Sequence, residues 1–85
     1  MSIQVMEMAI DEDQARLRLR SSLLEYLERN MEHHDEVVWS VKSGTMHSGD
    51  TMTRLADLRA QRDAALHAHL DLLAEAQGRG VLLFN

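Results

Sequence analysis

The chain has 85 residues, 45% of them apolar and 4% aromatic, and a formal net charge of −5. A chain of this length makes one small domain, and its acidic balance argues against nucleic acid, whose binding depends on clustered Lys and Arg. Because the chain contains no cysteine, disulfides and thiolate metal sites are excluded. A partner subunit is the remaining way to stabilise so small a core.

Residues 1–10 form an N-terminal extension whose local structure the pattern leaves open. Ile3 and Ile10 continue a seven-residue apolar repeat that favours a helix, whereas Ile3 and Val5 equally suit a short strand. The extension carries no Lys or Arg and therefore does not read as a secretory signal. The chain has no apolar run of the roughly 20 residues that a membrane helix needs. We therefore expect a cytoplasmic protein with no membrane partner.

A long amphipathic helix is predicted over residues 11–42. Its start combines an Asx cap at Asp11 with acidic residues and Gln14, a pattern typical of helix N-termini. Apolar residues then recur every seven positions, while the companion positions three residues later are half polar. The first series is Leu17, Leu24, Met31 and Val38, the second is Arg20, Leu27, His34 and Val41, and further apolar residues at Leu19, Leu23, Tyr26 and Val37 predict contact with more than one helix.

The end of this helix has an alternative. Residues 37–41 are rich in β-branched and aromatic side chains, which are typical of strands. A strand there, with further short strands at the termini, would make the fold α+β. Continuation of the helix is favoured because Val38 and Val41 keep the seven-residue register.

The second half of the chain predicts a loop, a helix and a tail. Residues 43–50 contain two glycines and several small hydroxyl residues, which indicates a loop between helices. A second helix is predicted over residues 51–77, capped by Asp50 or Thr51 and ended by Gly78. Residues 78–85 then form a glycine-hinged apolar tail.

The predicted fold is a single all-α domain over residues 1–85. Its two long helices fold back as an antiparallel hairpin, and two hairpins complete a four-helix bundle as a homodimer, because one hairpin cannot shield every apolar face. The residues predicted at the oligomer interface are Leu17, Leu24, Leu27, Met31, Val38, Leu55, Leu66, Leu70 and Leu73.

No catalytic motif, cofactor motif or cofactor is indicated by the sequence. Five histidines invite a metal or acid-base hypothesis, but helical ligand pairs need a spacing of three or four residues. Within residues 32–36, His33 and Glu36 are the histidine–carboxylate pair with that spacing, and no metal site is predicted. The weak candidates for a small metal-dependent or acid-base enzyme with an interface site are His33, Glu36, Glu32, Glu25 and His67.

The function that the sequence favours is a non-enzymatic protein-interaction or assembly module, such as an adaptor, inhibitor, small chaperone or regulator. Its expected partners are a second copy of the chain, another protein, or both. Histidines at His34 and His69 lie on the predicted seams and suggest assembly that responds to mildly acidic pH. The candidate partner-binding residues are Val81, Leu82, Leu83 and Phe84 in the tail, with Arg16, Arg20 and Trp39.

Overall fold

The computed structural model describes residues 2–78 and 80, with side-chain surroundings given from residue 12 onward. Helix α1 spans Ser2–Ser43 and helix α2 spans Gly49–Gly78, and the two pack together as an antiparallel hairpin. The described residues contain no strand. The all-α hairpin is therefore confirmed, and the α+β alternative is wrong at residues 2–10 and 37–41, which are helical. The tail residues Val81–Phe84 lie outside the described part of the chain.

Helix α1 begins nine residues earlier than the sequence predicts, at Ser2 rather than at Asp11. The stretch before Asp11 contains neither Gly nor Pro, so nothing in it interrupts the helix. The acidic residues read as an N-terminal signal instead lie inside the helix. There Glu12 and Asp13 pair with Arg16 at 3.5 and 3.3 Å, the usual spacing of helical ion pairs.

The C-terminus of α1 is closed by a Schellman motif. Gly44 has a φ of +73°, a conformation that costs little only for glycine. Its N–H donates to the carbonyl of Val41 at 3.3 Å, and the N–H of Thr45 donates to the carbonyl of Ser40 at 3.0 Å. These two bonds satisfy carbonyls that the end of a helix leaves without partners. The turn is therefore specified by Gly44.

The start of α2 is capped by Ser48 rather than by Asp50 or Thr51. The Oγ of Ser48 accepts a hydrogen bond from the N–H of Thr51 at 3.2 Å and donates to the Oγ1 of Thr51 at 2.7 Å. A serine that bonds the N–H three residues later is the standard N-cap arrangement. At the other end, α2 stops at Gly78 as predicted, while the positive φ of +74° belongs to Gly80.

The hairpin is long and thin. It measures 65 × 17 × 16 Å and has a Cα radius of gyration of 18.5 Å, against about 12 Å for a globular domain of this length. Among the described residues, the only buried apolar side chains are Leu19 and Ala76. The interior of one hairpin is therefore very small.

Neither helix in the described part of the chain combines the length and apolarity needed to cross a membrane.

Candidate interaction surface

The register of the two helices follows from three side-chain contacts. Ser22 meets His69 at 2.7 Å, Arg29 donates to Gln61 at 3.2 Å, and Arg54 donates to Glu36 at 2.7 Å. Each step forward along α1 is thus matched by a step back along α2. On each helix, a row of buried or half-buried residues spaced by three and four lies toward the other helix. The row on α1 is Ala15, Leu19, Ser22, Tyr26, Arg29, His33, Glu36 and Ser40. The row on α2 is Thr51, Leu55, Leu58, Arg62, Ala65, His69, Leu72 and Ala76. We call these two rows the hairpin seam.

The hairpin seam is apolar at its open end. Leu19 is 8% exposed and Ala76 is 3% exposed, and Ala15, Leu72 and Leu73 pack against them. Small side chains at Ala15 and Ala76 let the helices approach closely at this level. This cluster supplies most of the hydrophobic burial within a single chain.

Elsewhere the hairpin seam is largely polar. The Oγ of Ser22 donates to the carbonyl of Leu19 at 3.0 Å and also lies 2.7 Å from Nδ1 of His69. The direction of this second hydrogen bond is set by the tautomer of His69. Near the turn, Ser40 is fully buried and its Oγ has no hydrogen-bond partner among the described residues. A seam of this composition contributes little hydrophobic stabilisation and carries unsatisfied polar groups that cost free energy.

The apolar repeat that dominates the sequence lies on the opposite side of α1. Each of its residues stands two positions before a residue of the hairpin seam, as Leu17 stands before Leu19 and Leu24 before Tyr26. Two positions rotate a side chain by about 200° around a helix. Leu17 is accordingly 59% exposed, Leu24 53% and Met31 61%. We call Leu17, Leu24, Met31 and Val38 the outer stripe.

More apolar residues join the outer stripe to α2. Leu23 stands four positions after Leu19 of the hairpin seam, and Leu73 stands four positions after His69. Because the helices share one hand but run in opposite directions, these positions fall on the same side of the hairpin. The exposed or half-buried apolar residues that continue this side around the hairpin are Leu23, Leu27, Val37, Val41, Met52, Leu66, Leu70 and Leu73. Together with the outer stripe they make up what we call the apolar face.

The predicted interface residues thus divide between two surfaces. Leu55 lies in the hairpin seam, whereas the other predicted residues lie on the apolar face. Sequence reasoning did not identify the hairpin seam because half of its residues are polar. Leu19 and Tyr26 could have indicated the hairpin seam, since they stand seven residues apart and do not belong to the main apolar repeat.

The other partner-binding candidates lie on different parts of the surface. Arg16 and Arg20 line a shallow groove with Asp13 and Leu17, at the end of the outer stripe. Trp39 is 62% exposed near the turn. It stands two positions after Val37, which is about 200° around the helix and therefore away from the apolar face.

The metal candidates are not brought together. Among the residues that the structure describes, no three His, Asp or Glu side chains are placed to hold a metal ion. Glu36 is paired with Arg54 and Glu32 with Arg29, while Glu25 and His67 lie on exposed faces.

His33 is the one candidate whose surroundings are unusual. Burial lowers its pKa from 6.5, and the guanidinium groups of Arg62 and Arg59 lower that pKa further. Its Nε2 is buried and has no hydrogen-bond partner among the described residues. A positively charged neighbourhood opposes binding of a cation and favours the neutral ring.

The lowered pKa of His33 predicts a loss of stability in acid. As pH falls through 6.5, the unfolded chain takes up the proton before the folded chain does, so the free energy of unfolding decreases. We expect the melting temperature to fall between about pH 7.5 and about pH 5.5, and His33→Gln to reduce that fall. His47→Gln, in the exposed turn, is the matched control. An identical pH dependence in His33→Gln and the parent would contradict this assignment.

Comparison with known proteins yields no significant match to this chain among family models, curated proteins or solved structures.

Proposed function

We propose that this chain is a non-enzymatic assembly module that works as a homodimer of hairpins, with the apolar face of one chain covered by that of a second copy. The observation that carries this proposal is the reversal of polarity between the two sides of α1. Its largely polar row from Ser22 to Ser40 faces α2. Three residues of the outer stripe, Leu17, Leu24 and Met31, are exposed on the opposite side, and Val38 is half-buried. A sequence adapted to a lone hairpin would place these rows the other way round.

The exposed area supports a second copy as the occupant. The chain exposes 6621 Å², whereas a compact protein of 9.7 kDa exposes about 5,100 Å². The excess, about 1,500 Å², is larger than the roughly 800 Å² that each partner buries in a standard interface. The elongated hairpin therefore exposes enough surface for an interface with a second copy.

The stability of a lone hairpin leads to the same conclusion. A single core of this size rarely supplies more than about 3–5 kcal/mol, and much of this hairpin seam is polar. Two hairpins that meet on their apolar faces would bury the outer stripe between their α1 helices, which a lone hairpin leaves in water. Adaptor, inhibitor, small-chaperone and regulator roles all fit such a module, whose activity consists of binding another protein.

Subunit exchange tests the proposal. Unlabelled protein is mixed with the same protein uniformly labelled with ¹⁵N, and the mixture is measured by native mass spectrometry. We expect dimers of three masses, with the mixed dimer approaching the statistical half of the population. Spectra that contain only single chains at micromolar concentration would overturn the proposal.

A further inference from the structure

We infer that the two copies meet through an antiparallel contact between their α1 helices, centred near Arg29, so that the two turns lie at opposite ends of the assembly. This inference rests on the proposed homodimer and adds its geometry. It is carried by the outer stripe and by the polar residues that interrupt the companion row.

The companion row lies next to the outer stripe on α1. It consists of Arg20, Leu27, His34 and Val41, each three residues after a member of the outer stripe. Alternate spacing by three and four is the pattern through which two helices pack along their length. Arg20, Leu27 and Val41 are exposed in the hairpin, as is His34, whose side chain is 68% exposed. This doubled row is therefore available to a second helix.

The polar members of the companion row, Arg20 and His34, indicate whether the two α1 helices run parallel or antiparallel. In a parallel contact each residue meets its own copy, so Arg20 would meet the partner's Arg20 and His34 would meet the partner's His34. The two Arg20 guanidinium groups would place like charges in one desolvated layer, which is strongly unfavourable. In an antiparallel contact these residues meet different residues, and neither pairing repeats a charge.

One antiparallel register pairs every residue of the outer stripe with a residue of the partner's companion row. It sets Leu17 against the partner's Val41 and Leu27 against the partner's Met31. Arg20 then lies against the partner's Val38 and His34 against the partner's Leu24. Within the two rows from Leu17 to Val41, a shift by one heptad in either direction leaves apolar residues of both copies uncovered, so this register buries the most apolar area of these rows.

The residues on the two sides of the α1–α1 contact are consistent with this register. On the inner flank, Leu23 and Val37 turn toward the α2 side of the bundle, where Leu66 and Leu73 extend the apolar face. On the outer flank, Ser21, Glu28 and Asp35 are exposed and remain in water. Asp35 of the partner lies within about one helical turn of Arg20 and offers it a carboxylate.

The antiparallel contact determines where the two turns lie in the dimer. Residues at the turn of one chain lie beside the N-terminal part of α1 in the other. The C-terminal ends of the two α1 helices are then about 42 Å apart along the assembly at 1.5 Å per residue, and the His47 turns lie beyond them. The dimer would present two equivalent turn regions, each with an exposed Trp39, at well-separated positions.

Distances between spin labels test the inference. Because the chain has no cysteine, single-cysteine variants take one label each, and Glu28→Cys and His47→Cys replace exposed residues. We expect pulsed electron paramagnetic resonance to give about 20 Å between labels at position 28 and about 50 Å between labels at position 47.

The possible outcomes test the antiparallel contact separately from the formation of a dimer. The mass of each labelled variant is measured first by light scattering, and its helicity by circular dichroism. A dimer with a short distance at position 47 would overturn the antiparallel contact and leave the homodimer standing. A dimer with a distance well above about 30 Å at position 28 would place the contact on another helix. A folded monomer would overturn both proposals.

Discussion

Leu24→Glu is expected to convert the dimer into separate chains with greatly reduced helicity. Leu24 is 53% exposed in the hairpin, so a charge there costs a lone hairpin almost nothing. At a homodimer interface each chain loses about 1.5–3 kcal/mol of leucine burial and gains a desolvated carboxylate. Because both copies carry the change, the dissociation constant is expected to rise by at least about 100-fold.

The matched control for Leu24→Glu is Ala60→Glu. Ala60 is also exposed, but it lies on α2 away from the apolar face. The same charge is therefore introduced into a helix without touching the proposed interface. Circular dichroism and light scattering of both variants over a concentration series provide the measurement. Equal behaviour of the two variants would show that the outer stripe is an ordinary solvated surface.

The second large effect separates the hairpin seam from the apolar face. Leu19→Ala removes the largest apolar side chain of the buried cluster at the open end, where Leu19 is 8% exposed. Leu-to-Ala changes at such sites cost about 2–5 kcal/mol. This is comparable to the whole stability expected of a small core. We therefore expect a large fall in melting temperature at every protein concentration.

Leu17→Ala is the comparison for Leu19→Ala, since the same change is made two residues earlier on the same helix. Leu17 is 59% exposed in the hairpin, so its loss should change the stability of a lone hairpin by less than about 0.5 kcal/mol. It should instead weaken the dimer and make the melting temperature more dependent on concentration. If Leu17→Ala lowered the melting temperature as much as Leu19→Ala at every protein concentration, the two rows would be wrongly assigned.

The sequence predicts the architecture of this protein well because helices leave strong local signals. The seven-residue repeat, the glycines at Gly44 and Gly49 and the helix end at Gly78 place both helices to within a few residues, except at the start of α1. There an acidic cluster resembles a cap, yet nothing nearby breaks the helix. The strand-like residues at 37–41 remain helical because the helix on their N-terminal side propagates through them.

The pairing of surfaces was harder to predict. The complete apolar repeat predicts an oligomer interface, and in the hairpin its residues Leu17, Leu24 and Met31 are exposed. The residues that do face α2 include Ser22, Arg29 and His33, which pattern analysis assigns to solvent. Propensity and periodicity identify an amphipathic face but do not say which neighbour covers it, since that depends on packing between distant parts of the chain.

The polar hairpin seam and the apolar face have different roles in the proposed dimer. The polar contacts within one chain, such as Ser22 with His69 and Arg29 with Gln61, fix the register of the two helices because each group must find its partner. In the proposed dimer the apolar face would supply the burial that the hairpin seam lacks. In this view the second copy is part of the folded state rather than an addition to it.

Sedimentation equilibrium of the unmodified chain tests the central claim most directly. Samples from low micromolar to about 100 micromolar are measured near neutral pH, since folding and association are expected to be coupled in this range. We predict a species of twice the 9.7 kDa chain mass, with helicity that falls as the dimer dissociates on dilution. A stably helical species of 9.7 kDa across the whole range would contradict the account.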